Sequence, residues 1–122
     1  MKKLLSLIAV GFVFLTSTFA LDFGDIKGTW KDTNWDAKWT FSADGKILLT
    51  DKNGDTVYTF TDDNVQDFKL DVKTTGVSVS FYCKDTQRAY KFTKPITLNA
   101  DLDMHINPDW TSEDYDVKIN WQ

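Results

Sequence analysis

The sequence predicts an all-β fold, a small antiparallel up-and-down barrel of about eight strands. Apolar residues recur at every second position in run after run from residue 29 onward. Clusters of Asp, Asn, Thr and Gly separate those runs at short intervals. The chain is also 15% aromatic, with 5 Trp and 9 Phe. Rings of that size fill much of the interior of a small domain. No stretch after residue 20 has helical periodicity.

The first twenty residues differ in kind. Met1, Lys2 and Lys3 form a cationic start, and residues 4–15 are apolar except for Ser6 and Gly11. Small polar residues follow, ending Thr18-Phe19-Ala20. This is the three-part plan of a secretory signal peptide. The apolar run is about 12 residues, short of the ~20 that a spanning helix needs. Cleavage is expected after Ala20, leaving residues 21–122 as one domain, secreted or periplasmic.

Each strand then has its own signal. Residues 21–28 read as a short lead-in turn. Gly28-Thr29-Trp30-Lys31 opens the first strand, and Asp32-Thr33-Asn34 turns the chain. Trp35, Ala37, Trp39 and Phe41 share one parity, with Asp36, Lys38 and Thr40 opposite, as on a half-buried strand. Ser42-Ala43-Asp44-Gly45 is a hairpin loop into a strand over residues 46–50. Asp51-Lys52-Asn53-Gly54 turns into a fourth strand over residues 55–60. Gln66, Phe68, Leu70 and Val72 line one face of a fifth. Val77, Val79, Phe81 and Cys83 line the sixth.

The seventh strand ends at or before Pro95, which lacks a ladder donor. Ile96, Leu98, Ala100, Leu102, Met104 and Ile106 share one parity. They form either one long bent strand or two strands with a bend near Asn99. Residues 110–114 are a polar loop, and Tyr115, Val117, Ile119 and Trp121 line the last strand. Consecutive antiparallel pairing is the simplest topology. A closed barrel removes sheet edges and is favoured over a sandwich.

Charge narrows the partners. Asp plus Glu number 18 against 14 Lys plus Arg, for a net charge of −4. Losing Lys2 and Lys3 makes the balance more acidic. An acidic surface repels nucleic acid and anionic membranes, so neither is expected as a partner. The single cysteine, Cys83, cannot form an internal disulfide. On an apolar face it is expected to pack rather than react. The chain is expected to act as a monomer without a cofactor.

Gly28-Thr29-Trp30, followed by Trp39-Thr40-Phe41-Ser42-Ala43-Asp44-Gly45-Lys46, resembles the opening of small bacterial lipocalin-like domains. These belong to the calycin group of up-and-down barrels. The resemblance implies that Trp30 plugs the closed end of the barrel. It covers the first hairpins, and beyond them only the strand count. Lipocalins place a late arginine against that tryptophan. Here the only arginine is Arg88, and Lys118 stands in the last strand. Members of the wider group bind small apolar molecules or act as inhibitors.

No catalytic set emerges, so an enzyme is not expected. His105 is the only histidine and falls opposite Met104 and Ile106 in parity. A Cys83–His105 pair would need both residues on one face. Asp101, Asp103 and His105 share a face at intervals of ~6.5–7 Å, which suits a solvated strand or a weak surface metal site. The first reading is preferred, and no metal is assigned. The Asp51–Asp55 stretch lacks the glycine and glutamate positions of a calcium hand. It reads as a turn. Asp109, Glu113 and Asp114 form another acidic loop.

The tryptophans carry the open question. Core packing is favoured for Trp35 and Trp39, with a hydrophobic pocket or a sugar-stacking platform as the alternative. Trp110 stands in a polar loop, as a contact residue or a lid. The leading reading is a non-enzymatic binding protein that holds a small apolar ligand, with Trp35, Trp39, Phe41, Phe68 and Phe81 lining the cavity. The other is a solid barrel whose loop residues Trp110, Glu113 and Asp114 grip a protein partner.

Overall fold

A computed structural model describes residues 21–122 except Asp25 and Leu98. The signal-peptide expectation falls on residues 1–20, outside the described residues. The described chain forms nine strands: β1 (Gly28–Asp32), β2 (Ala37–Phe41), β3 (Ile47–Thr50), β4 (Thr56–Phe60), β5 (Val65–Lys73), β6 (Gly76–Cys83), β7 (Arg88–Pro95), β8 (Leu102–Pro108) and β9 (Tyr115–Trp121). They form one sheet in the order β4-β3-β2-β1-β9-β8-β7-β6-β5. All hydrogen-bonded neighbours are antiparallel, including β1 with β9. The fold is a nearly closed antiparallel barrel.

Closure fails at one place for a reason of parity. With β1 antiparallel to β9, alternation around the sheet makes β4 and β5 run in the same sense. A parallel pair needs a crossover of roughly a dozen residues. Only residues 61–64 link β4 to β5. They make a tight bend, with Asn64 N and Val65 N both donating to Thr61 O. The Asn64 side chain clamps it, accepting from Thr61 N at 2.9 Å and donating to Thr59 O at 2.9 Å. The β4–β5 seam therefore carries no ladder. Expected consecutive pairing holds everywhere except there.

Aromatic side chains fill the interior and span the seam. Phe60 of β4 meets Phe81 of β6 at 5.5 Å and Tyr90 of β7 at 5.0 Å. The network extends from Phe23 to Phe41 (5.1 Å), Phe41 to Phe92 (5.0 Å) and Phe92 to Trp39 (5.3 Å). Such edge and offset pairs add about 0.5–1.5 kcal/mol each beyond their burial. In the middle of the barrel Val79, Phe92, Leu102 and Ile119 are fully buried.

Three local readings are refined. The lead-in turns as expected, with Ile26 N donating to Phe23 O and Gly24 at φ 61°, and it also plugs the barrel: Leu21, Phe23 and Ile26 are buried, and Leu21 N donates to Gly45 O. In β5 a bulge between Gln66 and Lys69, with Asp67 at φ 55°, resets the alternation. Val65, Phe68 and Leu70 pack on the core while Gln66 and Val72 are exposed. Residues 96–97 and 99–101, between β7 and β8, lie outside any strand. Pro95 ends β7, and Asn99 turns at φ 57°.

Trp30 sits fully buried at the plugged end. Its Nε1 donates to Ala100 O at 2.8 Å. Trp121, not a cationic side chain, packs its edge on that ring at 5.1 Å. Asp101 fixes the end of β9 by accepting from Trp121 N at 2.9 Å. Gly28 has φ 129°, and a β-carbon there would lie 2.4 Å from Trp121 Cζ3. Gly28→Ala therefore combines backbone strain with overpacking and should cost about 3 kcal/mol or more. Gly54→Ala, at φ 84° in open space, should cost only about 1–2 kcal/mol. Urea unfolding of the two variants measures the difference, and equal losses would contradict this account of the plugged end.

Candidate functional site

The end opposite the plug is shaped by the β1–β2 turn, the β6–β7 turn and the β8–β9 loop. Asp32 closes β1 and pairs with Ala37 across the first turn. One carboxylate oxygen accepts Asn34 N at 2.9 Å, a local bond that favours turning over extension. Asp36 then takes φ 54°, with Lys31 Nζ 2.8 Å from its carboxylate. The turn removes Trp35 from the β2 alternation. Its ring is 73% exposed, so the expectation of core packing for Trp35 is corrected. Asp32 itself is only 2% exposed. Its second oxygen accepts the Tyr115 hydroxyl at 2.8 Å, which ties the turn to β9.

Across the opening, Arg88 starts β7 directly after the second turn, where Gln87 has φ 54°. Asp109 N donates to Gln87 O at 3.0 Å and fastens the β8–β9 loop to that turn. This places Trp110, 59% exposed, under the guanidinium. The Arg88 Cζ lies 4.8 Å from the Trp110 ring centroid, a cation–π contact.

Between these elements lies an open pocket of about 340 Å³. Trp35, Ala37, Trp39 and Leu49 line it on one side, and Tyr90, Met104, Ile106, Pro108, Trp110 and Tyr115 complete its walls. Asp32 and Arg88 are its charged residues. Trp39 joins pocket to core: it is nearly fully buried and stacks on Phe60 at 5.8 Å. A larger concavity, about 680 Å³, lies on the outer wall, where Asp71, Lys73, Lys91, Asp103 and Lys118 bring charged groups to its lining.

The structure brings together part of the residue set expected from sequence. Trp35 and Trp39 line the pocket. Phe41 and Phe81 are core residues outside it, and Phe68 is a partly buried residue packed on that core. Trp110 stands at the rim, while Glu113 and Asp114 are exposed in the loop beyond it. Asp32, Leu49, Arg88, Tyr90, Met104, Ile106 and Tyr115 carry no pocket role in the sequence reading. The signal available for Arg88 was its uniqueness in the chain.

The remaining candidates have separate engagements. Asp103 pairs with Lys118 at 2.7 Å, and His105 contacts Asp116 and, at 3.2 Å, Asp114. Among the described residues, no group of three His, Cys, Asp or Glu is placed to hold a metal. Cys83 is buried, with Sγ 3.4 Å from the Tyr58 hydroxyl. His105 lies on the opposite, outer side of the wall. Asp51 accepts Asn53 N and Asp55 N, as a turn residue does. Comparison with family models, curated proteins and solved structures finds no match.

Burial pushes the hydroxyls of Tyr90 and Tyr115 above the usual tyrosine range. Tyr58 is raised as well, by burial and then by its bonds to Cys83 and Asp85. An unfolded tyrosine ionises near pH ~10. Each folded tyrosine holds its proton where the unfolded one releases it, so the stabilisation is complete below pH ~10 and lost as pH rises through the folded values. Urea midpoints should therefore fall from about pH 10 upward. Tyr58→Phe should flatten that fall. A midpoint independent of alkaline pH would refute the assignment.

Proposed function

We propose that this is an exported, non-enzymatic binding protein holding a small apolar molecule at the open end of a lipocalin-like barrel. One observation carries the reading. The pocket of about 340 Å³ is walled by Trp, Tyr, Met, Ile and Leu side chains, with Trp35 and Trp110 exposed at its edge. Ligand sites in proteins are typically concave, mostly apolar and about 300–1,000 Å³. A bound apolar body would remove those rings from water, at about 25 cal/mol per Å² covered. The rings of Phe60 and Phe92, buried against Trp39, support a site at the mouth rather than deeper in the barrel. The Gly28–Trp30 motif and the plugged end support the lipocalin-like assignment, and the apolar run over residues 4–15 supports export.

A second reading shares the same rim. Trp35 and Trp110 together offer an aromatic edge into which a partner protein could insert one apolar side chain. Glu113 and Asp114 would then face the partner from the adjoining loop. This reading needs a macromolecule for affinity, whereas the first does not.

N-phenyl-1-naphthylamine, a neutral fluorescent probe, separates them. It should brighten on binding and shift the indole NMR signals of Trp35, Trp39 and Trp110, leaving Trp30 unmoved. Trp110→Ala should weaken it by roughly 1–2 kcal/mol with little change in melting temperature. Absence of binding, or shifts confined to the plugged end, would exclude the pocket as its site.

A further inference from the structure

We infer that the pocket selects an apolar monocarboxylate, and that Arg88 is the residue that reads its carboxylate; the inference rests on the pocket reading above. Arg88 is the only arginine in a chain with 18 acidic residues. Yet among the described residues no Asp or Glu lies within ion-pair distance of it. The nearby carboxylates have other partners. Asp109 accepts the Tyr82 hydroxyl, Asp114 engages Asn107 and His105, and Asp32 takes Tyr115 and Asn34. The guanidinium stays at the pocket edge, stacked on Trp110 at 4.8 Å.

That placement suits one ligand chemistry. A guanidinium is a planar fork of N–H donors that matches the two oxygens of a carboxylate. The Trp110 ring covers one face of the fork and the Tyr90 hydroxyl lies within its reach, so one of its five N–H donors has a partner and others remain for a ligand. Met104, Ile106 and Trp39 offer no charge to the rest of the ligand, so its body must be apolar. Asp32, at the other side of the same pocket, disfavours a second negative group there. One acid group at the Arg88 side and a compact apolar body toward Trp39 satisfy both constraints. A ligand with acid groups at both ends satisfies neither.

The test uses naphthalene-1-acetate and its neutral analogue naphthalene-1-acetamide, titrated calorimetrically against the purified protein at pH 7. The acid should bind at least about tenfold tighter than the amide, and this preference should shrink with added salt. In Arg88→Gln the acid should fall to the affinity that the wild-type protein shows for the amide. Arg88→Lys should keep part of the preference, as a point charge without the fork. Unchanged melting curves show that both variants fold. Equal binding of acid and amide overturns the carboxylate inference and leaves the pocket reading standing. A preference that survives Arg88→Gln assigns it to another cation and also overturns the inference. Failure of both probes to bind at millimolar concentration overturns the inference together with the pocket.

Discussion

A ring of nine strands whose hydrogen-bonded neighbours are all antiparallel cannot close through its ladder, because two neighbours must point the same way. In this protein those two are β4 and β5. The bend at residues 61–64 is too short for a parallel crossover, so side chains must do what backbone bonds cannot. Phe60 lies against Phe81 and Tyr90, and Tyr58 reaches Cys83 and Asp85. The aromatic richness of the sequence follows from this. Aliphatic side chains would supply hydrophobic burial, but large rings reach farther and meet edge to face across a gap.

The two ends of the barrel are unlike because different residues arrive there. At one end the lead-in folds under, Trp30 hydrogen-bonds Ala100, and Trp121 fills the space that Gly28 leaves. Lys94, buried at that end, donates to the Pro95 and Thr97 carbonyls. At the other end the turns carry large rings outward. Trp35 leaves its strand through the Asp32–Asp36 turn, and Trp110 is carried on a loop fastened to Gln87. Trp39, buried between the two regions, belongs to both. It closes the core above Phe60 and Phe92 and forms part of the pocket wall.

Much of the fold was legible as alternation. β6 shows it most cleanly: Val77, Val79, Phe81 and Cys83 are all buried, with intermediate residues between them. Alternation cannot reveal where its own phase slips. Asp67 in the left-handed region shifts β5 by one step, and Asp36 likewise separates Trp35 from Trp39. Neither aspartate is glycine, the residue that would have flagged such a backbone. The plug was obscured because residues 21–26 have no periodic partner in sequence. The pocket was half legible: Trp35, Trp39 and Trp110 drew notice as aromatic residues, whereas Arg88, Tyr90 and Tyr115 join them only through the pairing of β7, β8 and β9.

The open seam gives the lone thiol a meaning that its sequence context lacks. Cys83 is fully buried, and its sulfur is directed at Tyr58 on the strand bordering the gap. A thiol reagent reaches it only after β4 swings away or the domain unfolds. Reagent consumption under native conditions thus clocks how often the wall parts at its unzipped edge, with no label introduced.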